Sequence, residues 1–193
     1  SIETFQLEKG KGLNLPNCIY DNILQLKVYN QFLSKTKKIK FDAIGLSYIQ
    51  NSYIIKKIKK KFPKYFLISK IENAEGMKNL EDICKFTDGV MIDRGDLSAE
   101  IYDENLFDAV IKISDTTKKF GIPLIIATEN LDSMNKRFSP TKSEIISLGF
   151  NHFLNADKIM LSDETATSHN WNNTIKWLNN YLNKQFSNNT NTR

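Results

Sequence analysis

Cysteine is nearly missing from this chain of 193 residues: there are two, Cys18 and Cys84, with neither a CxxC pair nor a metal spacing. Two isolated thiols exclude a disulfide-stapled scaffold and point to a reducing compartment. Histidine is as rare, and His152 and His169 stand apart from other ligand residues, so neither is given a role. No apolar run is long enough to cross a bilayer. The opening SIETFQLEKGKG lacks the apolar core of a secretion signal. The expectation is a soluble, cytoplasmic protein without a membrane partner. Aromatic residues do not alternate with basic ones, as they would on a single-strand nucleic-acid surface, so no nucleic-acid partner is expected.

What is present describes an ordinary globular chain. It is 40% hydrophobic and 25% charged, and its length fits one domain with a real core. The formal charge is +5, from 27 basic and 22 acidic residues. Much of the excess sits in KKIKKKFPK (56–64), which reads as the solvated face and end of a helix. A phosphorylated small molecule is the other class of partner that such a balance allows.

Short β-branched runs alternate with longer amphipathic stretches. The expected strands are FDAIGLS (41–47), YFLISK (65–70), GVMID (89–93), PLIIAT (123–128) and KIMLS (158–162). Each has the apolar character of a strand buried on both faces of a parallel sheet. Helices are expected over 21–33, 53–62, 75–86, 105–120, 141–154 and 170–182. Such alternation implies βαβ units with right-handed crossovers. A polar residue follows every strand: Ser47, Lys70 with Glu72, Asp96, Thr128, and Ser162 with Glu164. One polar group after each of five strands favours a (β/α) barrel of the TIM type over an open sheet, with the site at the carboxyl ends. About five βα units are present, too few to close an eight-stranded barrel.

Glu72 and Asp96 end consecutive strands. Two such carboxylates can hold one hard cation, and Mg²⁺ or Mn²⁺ suits them because it keeps several waters beside one or two carboxylates. The other reading pairs both carboxylates with Arg94 or a lysine. Lys70 can stabilise charge on a phosphoryl group or an enolate, or simply extend its ammonium to solvent. Thr128 can bond a substrate oxygen or relay a proton, or serve the strand end alone. In RGDLSAE (94–100), Gly95 precedes Asp96 in a polar turn leading to a helix. Its N–H groups can hold a carboxylate or phosphate oxygen, although a plain strand-to-helix turn carries the same glycine.

SKIENAEGMKNLEDI (69–83), DGVMIDRGDLSAEI (88–101), GIPLIIATENLDSM (121–134), SPTKSE (139–144) and ADKIMLSDETA (156–166) together resemble the pyruvate kinase family, in order along the chain. GKGLNLP (10–16) resembles the point where that family's chain returns from an inserted lid domain. The resemblance implies an extended re-entry segment over 1–17 and a partial pyruvate-kinase-like barrel over 18–183. The remaining residues, 184–193, read as a disordered polar tail. By the same resemblance, Lys70 stabilises the phosphoryl group in flight, and Glu72 and Asp96 ligate the metal. The backbone of Asp93, Arg94, Gly95 and Asp96 holds the substrate carboxylate, Thr128 lines the pyruvate pocket, and Ser162 and Glu164 join a nearby polar network. The implied reaction is phosphoryl transfer from phosphoenolpyruvate to ADP, giving pyruvate and ATP, with Mg²⁺ and usually K⁺.

Departures from the family pattern are specific. The usual K⁺-binding motif, the first barrel strands, the lid domain and the C-terminal domain are absent from this sequence. Asp93 stands where the family usually has alanine, and Glu129–Asn130 where it has Gln–Met. Ser98 and Asp163 each replace a glycine. Three readings follow: a glycolytic pyruvate kinase-like phosphotransferase, a catalytically degenerate relative with a binding or assembly role, and a metal-dependent pyruvate lyase or aldolase. An unclosed barrel exposes strand edges, so a homo-oligomer or a completing chain is expected.

Overall fold

The structure is a computed structural model, and it describes residue 16 and residues 18–36 and 38–189. Five strands form one sheet: β1 (Ile44–Leu46), β2 (Leu67–Ile71), β3 (Gly89–Asp93), β4 (Leu124–Ala127) and β5 (Lys158–Ile159). They lie in chain order and every pair is parallel. Consecutive order is the arrangement of a barrel wall. The sheet does not close: among the described residues, β1 pairs only with β2 and β5 only with β4.

Helices fill the crossovers, and local chemistry sets their ends. In α1 (Asn22–Lys35), the Asp21 carboxylate caps Ile23 N–H and Leu24 N–H. In α2 (Ser52–Lys61), Asn51 caps Tyr53 N–H. Ile54, Ile55 and Ile58 of α2 are buried while Lys56, Lys57 and Lys60 face solvent, so the basic run is a helix's wet face. Its last turn holds Lys59, Lys60 and Lys61, where positive charge suits the helix dipole.

One helix was expected over 75–86, and two short ones form instead, α3 (Ala74–Lys78) and α4 (Leu80–Cys84). Asn79 breaks the run. Its side-chain amide donates to Gln50 O at 2.8 Å and to Glu75 O at 3.1 Å. Gly76 of α3 lies so close to the loop after β1 that a Cβ there would meet Ile49 O at 2.5 Å. After β3 no turn intervenes, and α5 (Arg94–Ile101) starts directly at the strand end.

The sequence of helices continues with α6 (Leu106–Phe120), α7 (Lys142–Phe153), α8 (Asp163–Thr167) and α9 (Trp171–Asn189). Gly121 ends α6 in the left-handed conformation that glycine adopts without strain. The short α8 was not expected; the Ser162 hydroxyl caps it. The expected tail is helical as far as Asn189, and 190–193 lie outside the described residues. So does the expected re-entry segment, Pro16 apart.

Alternation along the strands sorts the two faces of the sheet. Leu67, Ile71, Val90, Ile92, Leu124 and Ile126 pack outward beneath the helices in the main core. Met91, Ile125 and Ala127, with Ile68, form a smaller cluster on the other face. Cys84 belongs to the main core, and burial pushes its thiol up to about 12. It therefore behaves as a small apolar residue. No helix among the described residues is long and apolar enough to cross a membrane.

At the start of α7, Thr141 and Glu144 form a reciprocal cap, and Glu144 also accepts from Ser133 N–H at 2.8 Å. Burial acts to raise the Glu144 carboxyl, but the bonds from Ser133 and Thr141 outweigh it and leave it below the usual range. Glu144→Ala is expected to lower the unfolding free energy by about 1.5 kcal/mol at pH 7. The depressed carboxyl stabilises the fold above its unfolded pKa and loses that effect as pH falls through the folded value. Urea titrations from pH 7 down to pH 3 should therefore show wild type and variant converging in acid.

Candidate functional site

The carboxyl ends of β2, β3 and β4 bring the expected residues together. Lys70 lies opposite Met91 and Asp93 opposite Ala127, so both side chains share the face of Met91 and Ala127. Lys70 Nζ lies 2.5 Å from Glu72 Oε1 and 3.2 Å from Asp93 Oδ2. Oxygen atoms of Glu72, Asp93 and Asp96 all lie within 4.8 Å of one another. Glu72 is wholly buried and Asp93 is 6% exposed.

These charges are only partly matched. Burial acts to lower the Lys70 ammonium, but its pairs with Glu72 and Asp93 outweigh that and hold it above its ordinary value. Burial raises Glu72, and Lys70 with the Tyr48 N–H offsets part of the rise. Asp96 is likewise raised, first by burial and then by Asp93, against the pull of Lys70 and the Tyr48 phenol. Three crowded carboxylates beside one ammonium form a site that is short of positive charge. Carboxylate oxygens so gathered fit the donor set of a hard divalent cation.

Tyr48 is a site residue that the sequence reading did not name. Its N–H donates to Glu72 Oε2 at 2.5 Å, and its phenol bonds Asp96. Its ring meets Tyr20 at 5.3 Å. Its backbone is left-handed, with φ of 52°, a strained state for a tyrosine. The polar residue noticed beside it, Ser47, acts through its carbonyl, which accepts from Gln25 and from the Tyr29 hydroxyl at 2.7 Å. That ties α1 to the end of β1.

Arg94 turns away from the carboxylates. Its guanidinium donates to Ala127 O at 3.4 Å, Ser147 Oγ at 2.9 Å, Asn130 Oδ1 at 3.1 Å and the carbonyl of Thr128. It thereby fastens the start of α5 to the loop after β4. Burial lowers its pKa, and Glu129, Asp132 and Asp93 offset part of that fall. In that loop Thr128, Glu129 and Leu131 are all left-handed. Thr128 Oγ1 accepts from Gly95 N–H at 3.2 Å and donates to Ala127 O at 2.7 Å. Gly95 and Thr128 therefore meet at the mouth of α5, beside the acidic cluster.

Ser162 and Glu164 lie further round the rim. The Ser162 hydroxyl donates to Asp132 Oδ1 at 2.9 Å and caps α8, and Glu164 is exposed in that helix's first turn. Among the described residues, neither shares a hydrogen bond or ion pair with Lys70, Glu72 or Asp93.

Comparison with known proteins gives a consistent picture. The family described as pyruvate kinase, barrel domain, matches residues 2–175. A pyruvate kinase of Methanocaldococcus jannaschii is 34% identical over 171 residues, covering 83% of this chain and 37% of that protein. One from Borreliella burgdorferi is 35% identical over 167 residues, covering 83% of this chain and 35% of the other. A crystal structure of a pyruvate kinase from Cryptosporidium parvum superposes with a TM-score of 0.72 at 33% identity, over 80% of this chain and 34% of that one. This chain thus spans roughly a third of the length of the relatives it matches.

The buried pair makes a stability prediction. Lys70→Met leaves Glu72 buried without its cation, and is expected to destabilise the metal-free chain by about 3 kcal/mol. Adding Glu72→Gln should recover more than half of that loss. Urea unfolding of the two single variants and the double variant measures the coupling; additive losses would contradict it.

Proposed function

Because the chain belongs to the pyruvate kinase family, we propose that it carries the metal-binding and phosphoryl-facing part of a site that moves a phosphoryl group from phosphoenolpyruvate to ADP. The observation that carries this reading is the convergence of Lys70, Glu72 and Asp96 at the carboxyl ends of neighbouring strands. Glu72 and Asp96 are the proposed ligands of Mg²⁺ or Mn²⁺. The ion would supply positive charge against the phosphoryl oxygens and the enolate.

The chain's own groups take the remaining roles. Lys70 faces the transferring group and balances its charge. The backbone of Asp93, Arg94, Gly95 and Asp96 opens α5, and a helix N-terminus favours a carboxylate. The Gly95–Thr128 bond fixes that mouth against β4. Thr128 is the proposed neighbour of the enol carbon, and Ser162 with Glu164 the outer polar wall. K⁺ is a family expectation to which no residue here is assigned.

Two observations favour a second reading, a degenerate relative with a binding or assembly role. Among the described residues the sheet is open at β1 and β5, and Asp93 occupies Lys70. In that case a second copy or another chain covers the edges.

Titration of Mn²⁺ followed by the resonance signal of the free ion separates the outcomes. Wild type is expected to bind one ion, Asp96→Asn none, and Lys70→Met one. Turnover of phosphoenolpyruvate with ADP, coupled to lactate dehydrogenase, should fall by about a thousandfold in Lys70→Met. Mn²⁺ binding retained in Asp96→Asn sinks the ligand assignment. Mn²⁺ binding without turnover, together with stable self-association, favours the second reading.

A further inference from the structure

We propose that the Asp93 carboxylate sets the ligand preference of this site, turning it toward a singly charged 2-oxo acid and away from a phosphorylated, multiply charged one. The inference rests on the reading above, which makes Glu72 and Asp96 the divalent-ion ligands.

Asp93 does not do what its position invites. It precedes the first residue of α5, where an aspartate ordinarily turns back to accept from the helix's free N–H groups. Asp93 makes no such bond. Its Oδ2 lies 3.2 Å from Lys70 Nζ instead. At 6% exposure its charge is weakly screened by water.

Charge counting gives the consequence. Glu72, Asp93 and Asp96 bring three negative charges, Lys70 one positive and a divalent ion two, so the loaded site sums to zero. Without the Asp93 carboxylate it would carry one net positive charge. Arg94 stands outside this count: its charge is coupled to Glu129 and Asp132 before Asp93, and its guanidinium is held by Ala127, Thr128, Asn130 and Ser147. A phosphate group carries about −1.5 to −2 near neutral pH; phosphoenolpyruvate adds a carboxylate to that, whereas pyruvate has its carboxylate alone. The electrostatic penalty of Asp93 scales with ligand charge, so it falls hardest on the phosphorylated ligand. A phosphoryl oxygen must also compete for an ammonium that Asp93 already holds.

The test uses wild type, Asp93→Asn and Asp93→Ala. Asparagine keeps the size and packing of Asp93 and removes only its charge, so a folding defect in the alanine variant does not confuse the result. Each protein is loaded with Mn²⁺, and phosphoenolpyruvate and pyruvate are titrated while water-proton relaxation is followed. Both variants are expected to bind phosphoenolpyruvate about tenfold more tightly, and pyruvate within about threefold of wild type. An unchanged preference, or a shift toward pyruvate, overturns the inference while Mn²⁺ binding leaves the site reading standing. If wild type takes up no Mn²⁺, the site reading fails, and this inference fails with it.

Discussion

The Lys70 ammonium, held between Glu72 and Asp93, is the interaction on which this end of the molecule depends. Glu72 has no exposed surface, and a carboxylate in that position is tolerated only when its charge is matched and its lone pairs are used. Lys70 supplies the match at 2.5 Å, and the Tyr48 N–H uses the second oxygen. Remove either and the strand end carries a buried charge with too few partners. The arrangement also explains why an apolar strand finishes in charge. Leu67, Ser69 and Ile71 point under the helices, while Ile68 and Lys70 point to the opposite face. The lysine stays out of the main core.

Precision at this site comes from its neighbours rather than from long strands. β3 holds Asp93 opposite Ala127 of β4, and Arg94 reaches across the same boundary to the Thr128 carbonyl and Ser147. The start of α5 is thus fixed to β4 and α7 at once. The loops after β1 and β4 both contain residues held left-handed, Tyr48 in one and Thr128, Glu129 and Leu131 in the other. Strain of this kind persists where surrounding contacts over-determine the backbone. Here those contacts are the Tyr48 bond to Glu72, the close approach of Gly76 to Ile49, and the Arg94 bonds to the β4 loop.

The five strands and their order were legible because buried parallel strands are written as short apolar runs with polar ends. The gathering of Lys70, Glu72 and Asp96 was legible for a related reason: in such a sheet the residues that follow the strands must share one rim. Other features depend on partners far along the chain. Asn79 looks like any polar helix residue until Gln50 O is beside it. Tyr48 looks like an apolar neighbour of Ser47 until a left-handed backbone turns its N–H to Glu72 and its phenol to Asp96. Arg94 was a plausible partner for the carboxylates by proximity in sequence, yet its guanidinium is satisfied by carbonyls and side chains more than thirty positions away. The short α8 escaped notice because the serine that ends an apolar run also serves as a helix cap.

Shape and charge are set by different features of this chain. The backbone follows a pyruvate kinase fold closely enough to superpose with a TM-score of 0.72, and Lys70, Glu72, Asp93 and Asp96 gather at its strand ends. Fold similarity fixes where groups sit; the chemistry depends on what they carry. A single carboxylate at Asp93 leaves the sheet register intact, since it occupies a strand end opposite Ala127. The same carboxylate changes the electrostatic balance of a largely buried cluster by a full unit, where charge acts at short range and with little screening. Packing is insensitive to that change, and anion binding is directly sensitive to it. Asp93 can therefore alter what the site accepts without disturbing the register of the strand that carries it.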